Sequence, residues 1–445
     1  MDPRAAKKRK LLPDNSGESL CSSSDDVVLA NDAISITIAR RGRTGGLLPA
    51  VSAFPPQYSH QVYAGEQITG YRDLEINVMY THASCRAFVS SSWSNLADGD
   101  PLSPLERSPA LPPSEAYTRE STEFAQWCAE DEHFVPPGNH VATFTARAGD
   151  GDDDSDGGGG GGADGSCATQ YEIHRYSMDD PVARALHTNM QCLAMWLIDG
   201  AEPVDLEDGR WSVFAVWERR AAQGGGGGGG EGDGAAAAGA EHYVVAGYTT
   251  VFTFQNPFRR DQPTALRICQ VVVLPPFQRR GIGRRMVQAV YDEAVRRADV
   301  FEVTVEDPAP AFVSLRDVVD VANCVKAGFV PAWRGAGPAG TKAVNDLLSS
   351  AHAKLKITRA QLRRVYEIIQ LGLLEKTDVA AYKSYRLAIK RRLFEEGGFP
   401  VVAPGAPEEA VAKLKAERKQ LLAEKYAALE KCYEGTLERA RVQLQ

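Results

Sequence analysis

The chain has no Cys-x-x-Cys pair and no cysteine–histidine spacing of the kind that holds zinc. Its eight cysteines, at positions 21, 85, 128, 167, 192, 269, 324 and 432, are scattered. That pattern argues against a disulfide framework or a metal cluster and predicts reduced, intracellular thiols. No stretch approaches the roughly 20 apolar residues of a membrane span, and residues 1–12 lack the apolar run of a secretory signal. A basic excess is also missing. The formal net charge of -8 leans against a nucleic-acid binder and fits a protein that handles a basic partner. The length of 445 residues is too great for one hydrophobic core and predicts two or three domains.

Composition shifts divide the chain. Residues 1–26 are polar and poor in aromatics, which predicts a disordered basic N-terminus; within it, Lys7-Lys8-Arg9-Lys10 reads either as a nuclear-import signal or as a merely solvated basic run. Residues 27–148 read as a β-rich N-terminal domain, with strict alternation at Ile34–Ile38 and further strand-like runs at 61–63, 74–80 and 87–93. Residues 149–168 are an acidic and glycine-rich insertion, and residues 224–240 a glycine- and alanine-rich one. Neither can bury apolar surface, so both are expected as surface loops. Between them Asp180 can cap a helix that Pro181 opens, with Val182, Leu186, Met190, Leu193 and Leu197 on its apolar face. Strands at 211–218, 243–254 and 266–274, a helix at 283–298 and a strand at 301–306 complete a core over 169–345. Residues 346–445 read as a helical C-terminal domain. Thr358 and Gln361 there form a capping box, and helices are expected over 378–395 and 407–444. The fold class is α+β, a mixed α/β core with a β-rich domain before it and helices after.

The most informative stretch runs from Val271-Val272-Val273-Leu274-Pro275-Pro276-Phe277 into Gln278-Arg279-Arg280-Gly281-Ile282-Gly283-Arg284-Arg285. A buried strand ends in prolines, and a helix opens at two glycines spaced i, i+2. Unpaired N–H groups at a helix start, with glycines that admit close approach, suit a phosphate, and four arginines add charge. A P-loop would need Gly-Lys-Ser/Thr after the turn, and a dinucleotide fingerprint a small residue at Met286. The remaining pattern, Gln-x-x-Gly-x-Gly between strand and helix late in a mixed sheet, resembles the pyrophosphate loop of the GCN5-related N-acetyltransferases.

A wider set of motifs is similar to the type B histone acetyltransferase catalytic subunits of that superfamily. They are Gly70-Tyr71-Arg72-Asp73-Leu74, Gly209-Arg210-Trp211, Val305-Glu306-Asp307-Pro308 with Leu315-Arg316-Asp317, Arg363-Arg364-Val365-Tyr366-Glu367-Ile368, and the run from Tyr385 to Leu393. The resemblance covers residues 33–393 apart from the two insertions. It implies acetyl-CoA as co-substrate and no metal. Backbone groups of Val271, Val272 and Val273 would hold the acetyl and pantetheine arm, and Gln278, Arg279, Arg280, Gly281, Ile282, Gly283 and Arg284 the diphosphate. Glu306 would be the general base, with Asp307 and Asp199 as nearby acids. Glu66, Phe252, Thr253 and Phe254 would contact a histone H-4 tail. A WD-repeat histone-binding protein is the implied partner, with no direct nucleic-acid or membrane contact, and nucleus and cytoplasm the implied locations. The chain departs from the family pattern at Ala64 and Gly65, where more acid can stand, and at Asp199, a shorter side chain.

The residues themselves support this chemistry. A lysine amine titrates at about 10.4, so holding it neutral at pH 7 costs about 4–5 kcal/mol unless a base takes the proton. Glu306 stands at the end of a strand whose Val303 and Val305 face the core, and Asp307-Pro308 stops that strand. Asp307 reads better as a structural turn residue. Cys269 could in principle carry an acyl group, but it has no evident histidine partner and reads as buried packing. Phe252 and Phe254 share one strand face and either line a groove or belong to the core. A small-amine acetyltransferase of the same fold, or a non-catalytic histone-binding module, is the alternative.

Overall fold

The computed structural model describes residues 26–42, 44–95, 99–146, 168–220, 242–337, 340–375, 377–399, 407–441 and 444. The basic tetrad at 7–10, the insertion at 224–240 and almost all of that at 149–168 lie outside the described residues.

The first part of the chain contains β1 (Val27–Leu29), α1 (Ala30–Ala33), β2 (Ile34–Arg41), β3 (Leu47–Pro49), β4 (Gln67–Thr69), β5 (Glu75–Thr81), β6 (Ala87–Ser92), α2 (Ser103–Glu106), β7 (Tyr117–Thr118) and α3 (Ser121–Glu130). Strands β3-β2-β5-β6-β7 make a five-stranded sheet, and β1-β4 a separate pair. The expected alternation in β2 is present, because Ile34, Ile36 and Ile38 are buried against the core while Ser35 and Thr37 are not. Residues 61–63, by contrast, form a turn and no strand. The Val62 and Tyr63 amides donate to Ser59 O at 2.9 and 2.8 Å, which closes the backbone into a turn, and the Gln61 amide donates to the carbonyls of Met195 and Ile198 at 2.9 and 3.1 Å.

The central sheet has six strands in the order β13-β12-β11-β10-β9-β8. These are β8 (Asn139–Ala146), β9 (Thr169–Ser177), β10 (Trp211–Arg220), β11 (His242–Gln255), β12 (Thr264–Val273) and β13 (Val300–Val305). β8, expected with the N-terminal part, is therefore an edge strand of this sheet. α4 (Pro181–Met190) and α5 (Cys192–Leu197) lie between β9 and β10, and α6 (Ile282–Arg296) links β12 to β13. Asp180 caps α4 as expected, accepting from Val182 N at 2.9 Å and Ala183 N at 3.4 Å. The apolar face differs from the expected one. Val182 is 70% exposed, Ala183 is buried instead, and the helix breaks at Gln191. The cap sets the rotation of the first turn, and that rotation sends position 182 outward.

Seven-tenths of the way along, the chain becomes helical: α7 (Pro310–Lys326), α8 (Val330–Trp333), α9 (Lys342–Leu355), α10 (Arg359–Leu373), α11 (Val379–Glu395) and α12 (Glu408–Ala440). Only half of the expected capping box forms. Thr358 Oγ1 accepts from Gln361 N, but the Gln361 amide donates to the buried Asp317 carboxylate at 3.0 Å. One buried hydrophobic cluster runs through all three parts, from Ala30 in the first sheet through Trp217 and Val303 to Tyr433 on α12.

Candidate active site

β12, α6 and β13 form a βαβ unit in which β12 and β13 run parallel, and in such units ligands bind beyond the carboxyl ends of the strands. The two strands pair only from Thr264 to Ile268, where Ile268 faces Val305. Glu306 N adds one further bond to Ile268 O, at 3.0 Å, and the chain then turns away while β12 continues to Val273. Among the described residues, 269–273 thus have no strand partner on the β13 side. Leu274 N donates to Ala246 O on β11. By alternation Val272 also faces β11, and Val271 and Val273 turn their backbone groups to the open edge.

A bulge shapes this opening. Thr250 pairs with Gln270 and Val251 with Ile268, which leaves Cys269 as the extra residue. Two hydroxyls secure it, Thr249 Oγ1 donating to Gln270 O at 2.8 Å and Thr250 Oγ1 accepting from Gln270 N at 3.1 Å. The parallel register sets Cys269 next to Glu306. Cys269 is half-buried rather than fully buried, and its thiol is pushed up to about 12, first by burial and then by the Glu306 carboxylate. The expectation of a plain packing cysteine is corrected here, since its neighbour is the candidate base. Glu306 itself is exposed at the strand end, and Asp307 follows at a φ of 31°, the geometry of a turn residue.

Past Val273 the two prolines form a single tight turn and Gln278 folds back, its Nε2 donating to Val273 O at 3.0 Å. Arg279 and Gly281 both have positive φ, 61° and 73°, so the chain curls before α6 starts. No side chain caps α6, so its first N–H groups point into the mouth of the turn. Gly283 packs closely on α7, where an added Cβ would stand 3.1 Å from Leu315 Cδ2.

The arginines around the turn divide. Arg279 is exposed. Arg280 donates to Tyr171 Oη at 3.0 Å, and Arg285 lies over the Phe144 ring at 5.7 Å. Arg284 is buried and donates to Arg439 O on α12 at 3.1 Å. Its backbone belongs to the turn, but its side chain braces the helices, because position 284 falls on the packed face of α6.

The expected peptide-contacting residues form two groups. Phe252 and Phe254 have centroids 4.6 Å apart, with Arg210 over the first at 4.7 Å and Arg267 over the second at 4.2 Å. Phe252 is half-buried and Phe254 is 37% exposed, so they form a surface shelf and are not core. Thr253 lies between them, its N–H bonded to Arg210 O. Glu66 and Asp199 come from distant parts of the chain and meet across His60, whose Nε2 is 3.1 Å from Asp199 Oδ1 and whose Nδ1 is 3.6 Å from Glu66 Oε1. The segment just after Asp199 reaches the bulge, since Gln270 Nε2 donates to Glu202 O at 2.7 Å. His60 and Gln270 carried no sequence signal, because their partners are contributed by the tertiary fold.

Comparison with known proteins points to a single family. Residues 27–199 match the family model described as the histone acetyl transferase HAT1 N-terminus, and residues 205–312 match that of the acetyltransferase (GNAT) family. A histone acetyltransferase type B catalytic subunit of Mus musculus is 27% identical over 352 residues, covering 77% of this chain and 75% of its own length. Proteins of the same description from Cryptococcus neoformans and Homo sapiens are 27% and 26% identical. The first covers 92% of this chain and 96% of its own length, and the second 77% and 74%.

Proposed function

This chain belongs to the family of type B histone acetyltransferase catalytic subunits, acetyltransferases of the GNAT fold, and on that premise we propose that it acetylates lysines of histone H-4 tails by direct attack, with Glu306 as general base. The observation that carries the reading is the splayed end of β12 and β13, with a carboxylate at one lip and an uncapped helix start at the other.

Acetyl-CoA is the acetyl donor of the GNAT family, and the residues present suit it. The open-edge amides of Val271 and Val273 match a pantetheine arm. The curled Gln278–Gly283 backbone suits a diphosphate, because α6 starts there without a side-chain cap and Gly281 takes the left-handed turn. A lysine ammonium entering between Glu306 and the aromatic shelf gives its proton to the Glu306 carboxylate, directly or through a water. Its freed nitrogen forms a bond to the thioester carbonyl carbon. The carbon–sulfur bond then breaks, and the departing thiolate takes up a proton. A β12 amide facing the opening is suited to the developing oxyanion. Direct attack is favoured over an acyl-cysteine because the Cys269 thiol is held protonated.

Acid at Glu66 and Asp199 suits a basic tail, and the stems of long cations suit the Phe252–Phe254 shelf. We extend the proposal to a WD-repeat histone-binding partner and to residence in nucleus and cytoplasm; co-purification and imaging of the tagged chain test these. The central test is acetyl transfer to an H-4 tail peptide. Glu306→Gln is expected to lose a factor on the order of 10²–10⁴ in kcat while acetyl-CoA affinity is retained. An unchanged rate would remove Glu306 as the base.

A further inference from the structure

α12 is the longest helix among the described residues, and its last turn ends beside the start of α6, 155 residues away in sequence. Tyr433 and Thr436 are buried and seat the helix, and Arg439 then bonds in two directions. Its carbonyl accepts from Arg284 Nη2 on α6 at 3.1 Å, and its Nη2 donates to Ser314 Oγ on α7 at 2.5 Å. A third bond, from its Nε to Gly435 O at 2.9 Å, holds the guanidinium against its own helix. Both partners adjoin Gly283. Arg284 follows it in the chain, and Ser314 precedes Leu315, the side chain that an added Cβ at position 283 would meet first. The joint has a physical cause. The last carbonyls of a helix have no intrahelical donor and carry partial negative charge, and the Arg284 guanidinium is the cation that meets one of them. Arg284 is also the third residue of α6, so tying down its side chain fixes the direction in which the first turn opens. No side-chain cap does this for α6.

We infer that Arg439 is a positioning residue for acetyl-CoA: by holding Arg284 through its carbonyl and Ser314 through its guanidinium, it sets α6 against α7 so that the helix start at Gly283 is ordered before the diphosphate arrives. The inference rests on the proposed reading of the Gln278–Gly283 turn. It adds that α12, which lies outside the residues 205–312 matching the acetyltransferase family, completes the cofactor site. A site ordered in advance loses less on association. Loosening this joint therefore weakens the hold on the diphosphate and leaves the reacting ends of both substrates untouched.

Calorimetry with coenzyme A and steady-state kinetics on the full chain test this. Arg439→Ala and Ser314→Ala are each expected to raise the Kd of coenzyme A about fivefold to tenfold, the size of one lost hydrogen bond, with kcat at saturating acetyl-CoA changed less than about threefold. Ser314→Ala leaves the guanidinium in place. An unchanged Kd in that variant overturns the positioning role, and a loss in Arg439→Ala alone then marks direct contact with the phosphates. The double variant is expected to bind no more weakly than either single one, because both remove the same bond; additive losses overturn the inference. S-acetylpantetheine has the thioester and the arm but no diphosphate. Its kcat/KM is expected to stay at the native value in both variants, and an equal fall for it and for acetyl-CoA marks general loosening and also overturns the inference. Failure of the proposed reading of the turn looks different, since native protein would itself show no preference for coenzyme A over pantetheine.

Discussion

At the scale of single residues, the site depends on one irregularity in a strand. The bulge at Cys269 lies where the parallel register sets a thiol beside Glu306, and β13 ends there while β12 runs on to Val273. Burial and the neighbouring carboxylate push that thiol up to about 12, so at pH 7 the thiolate fraction is on the order of 10⁻⁵. Cys269→Ala is therefore expected to keep kcat within about threefold of native. A loss of a hundredfold or more in steady-state assays would revive an acyl-cysteine route. The bulge was not legible in the sequence. Cys269 reads as one more member of an apolar run, and only the pairing of Thr250 with Gln270 and Val251 with Ile268 exposes the extra residue. The place of Glu306 at a strand end was legible because the strand before it alternates and Asp307-Pro308 marks its end. His60 was not, since its partners lie on both sides of an interface that no local pattern encodes.

At the scale of elements, local chemistry was readable wherever a signal and its partner lie within one turn. Asp180 before Pro181 is such a case, and its carboxylate does accept from the two expected amides. Asp180→Ala is expected to lower stability by about 1 kcal/mol, measured as a lower denaturation midpoint with kinetic constants unchanged. Thr358 and Gln361 show the opposite outcome. Their spacing is right for a reciprocal box, but Asp317 is fully buried and needs donors, and it draws the Gln361 amide together with Arg364, whose Nε and Nη2 approach its oxygens at 2.8–2.9 Å. A buried carboxylate outcompetes a cap that water could replace. The same principle holds the last helices together. Glu367 on α10 accepts from Arg392 on α11 at 2.7 and 2.8 Å and from Tyr433 on α12 at 2.8 Å. Arg392→Ala would leave that carboxylate short of its charge partner, and a loss of about 3–5 kcal/mol is expected in chemical denaturation. A loss below about 1 kcal/mol would mean that the helices are held by apolar contacts alone.

At the scale of the whole molecule, the expectation of separable parts gives way to one continuous core. Trp196 Nε1 on α5 donates to Tyr80 Oη at 2.9 Å, and Val245 N on β11 to His82 O at 2.7 Å, so the first sheet is joined to α5 and to the central sheet by buried bonds. That joint contains two histidines with consequences for pH. His187, under the central sheet, is pushed down to about 3 by burial. His82, at the seam, is pushed down to about 4 by burial, with Asp131 opposing and burial prevailing. Both are neutral in the folded state, whereas the unfolded chain protonates them near their ordinary value of 6.5. The unfolded state therefore binds more protons below that value, and the stability from keeping them neutral is complete above about pH 6.5 and is lost as pH falls toward the folded values. By pH 5 the loss is about 2 kcal/mol for each. Asp320 acts in the opposite direction, since burial raises it to about 6 from 3.8; the folded state takes up its proton first and regains about 1 kcal/mol by pH 5. The net expectation is a loss of about 3 kcal/mol between pH 7 and pH 5, visible as a fall of a few degrees in the thermal midpoint. His187→Asn has no proton to gain at that position, so its midpoint should fall by markedly less over the same interval, whatever its absolute stability. If the native and substituted proteins lost stability in parallel, the acid sensitivity would have to come from groups other than this buried histidine.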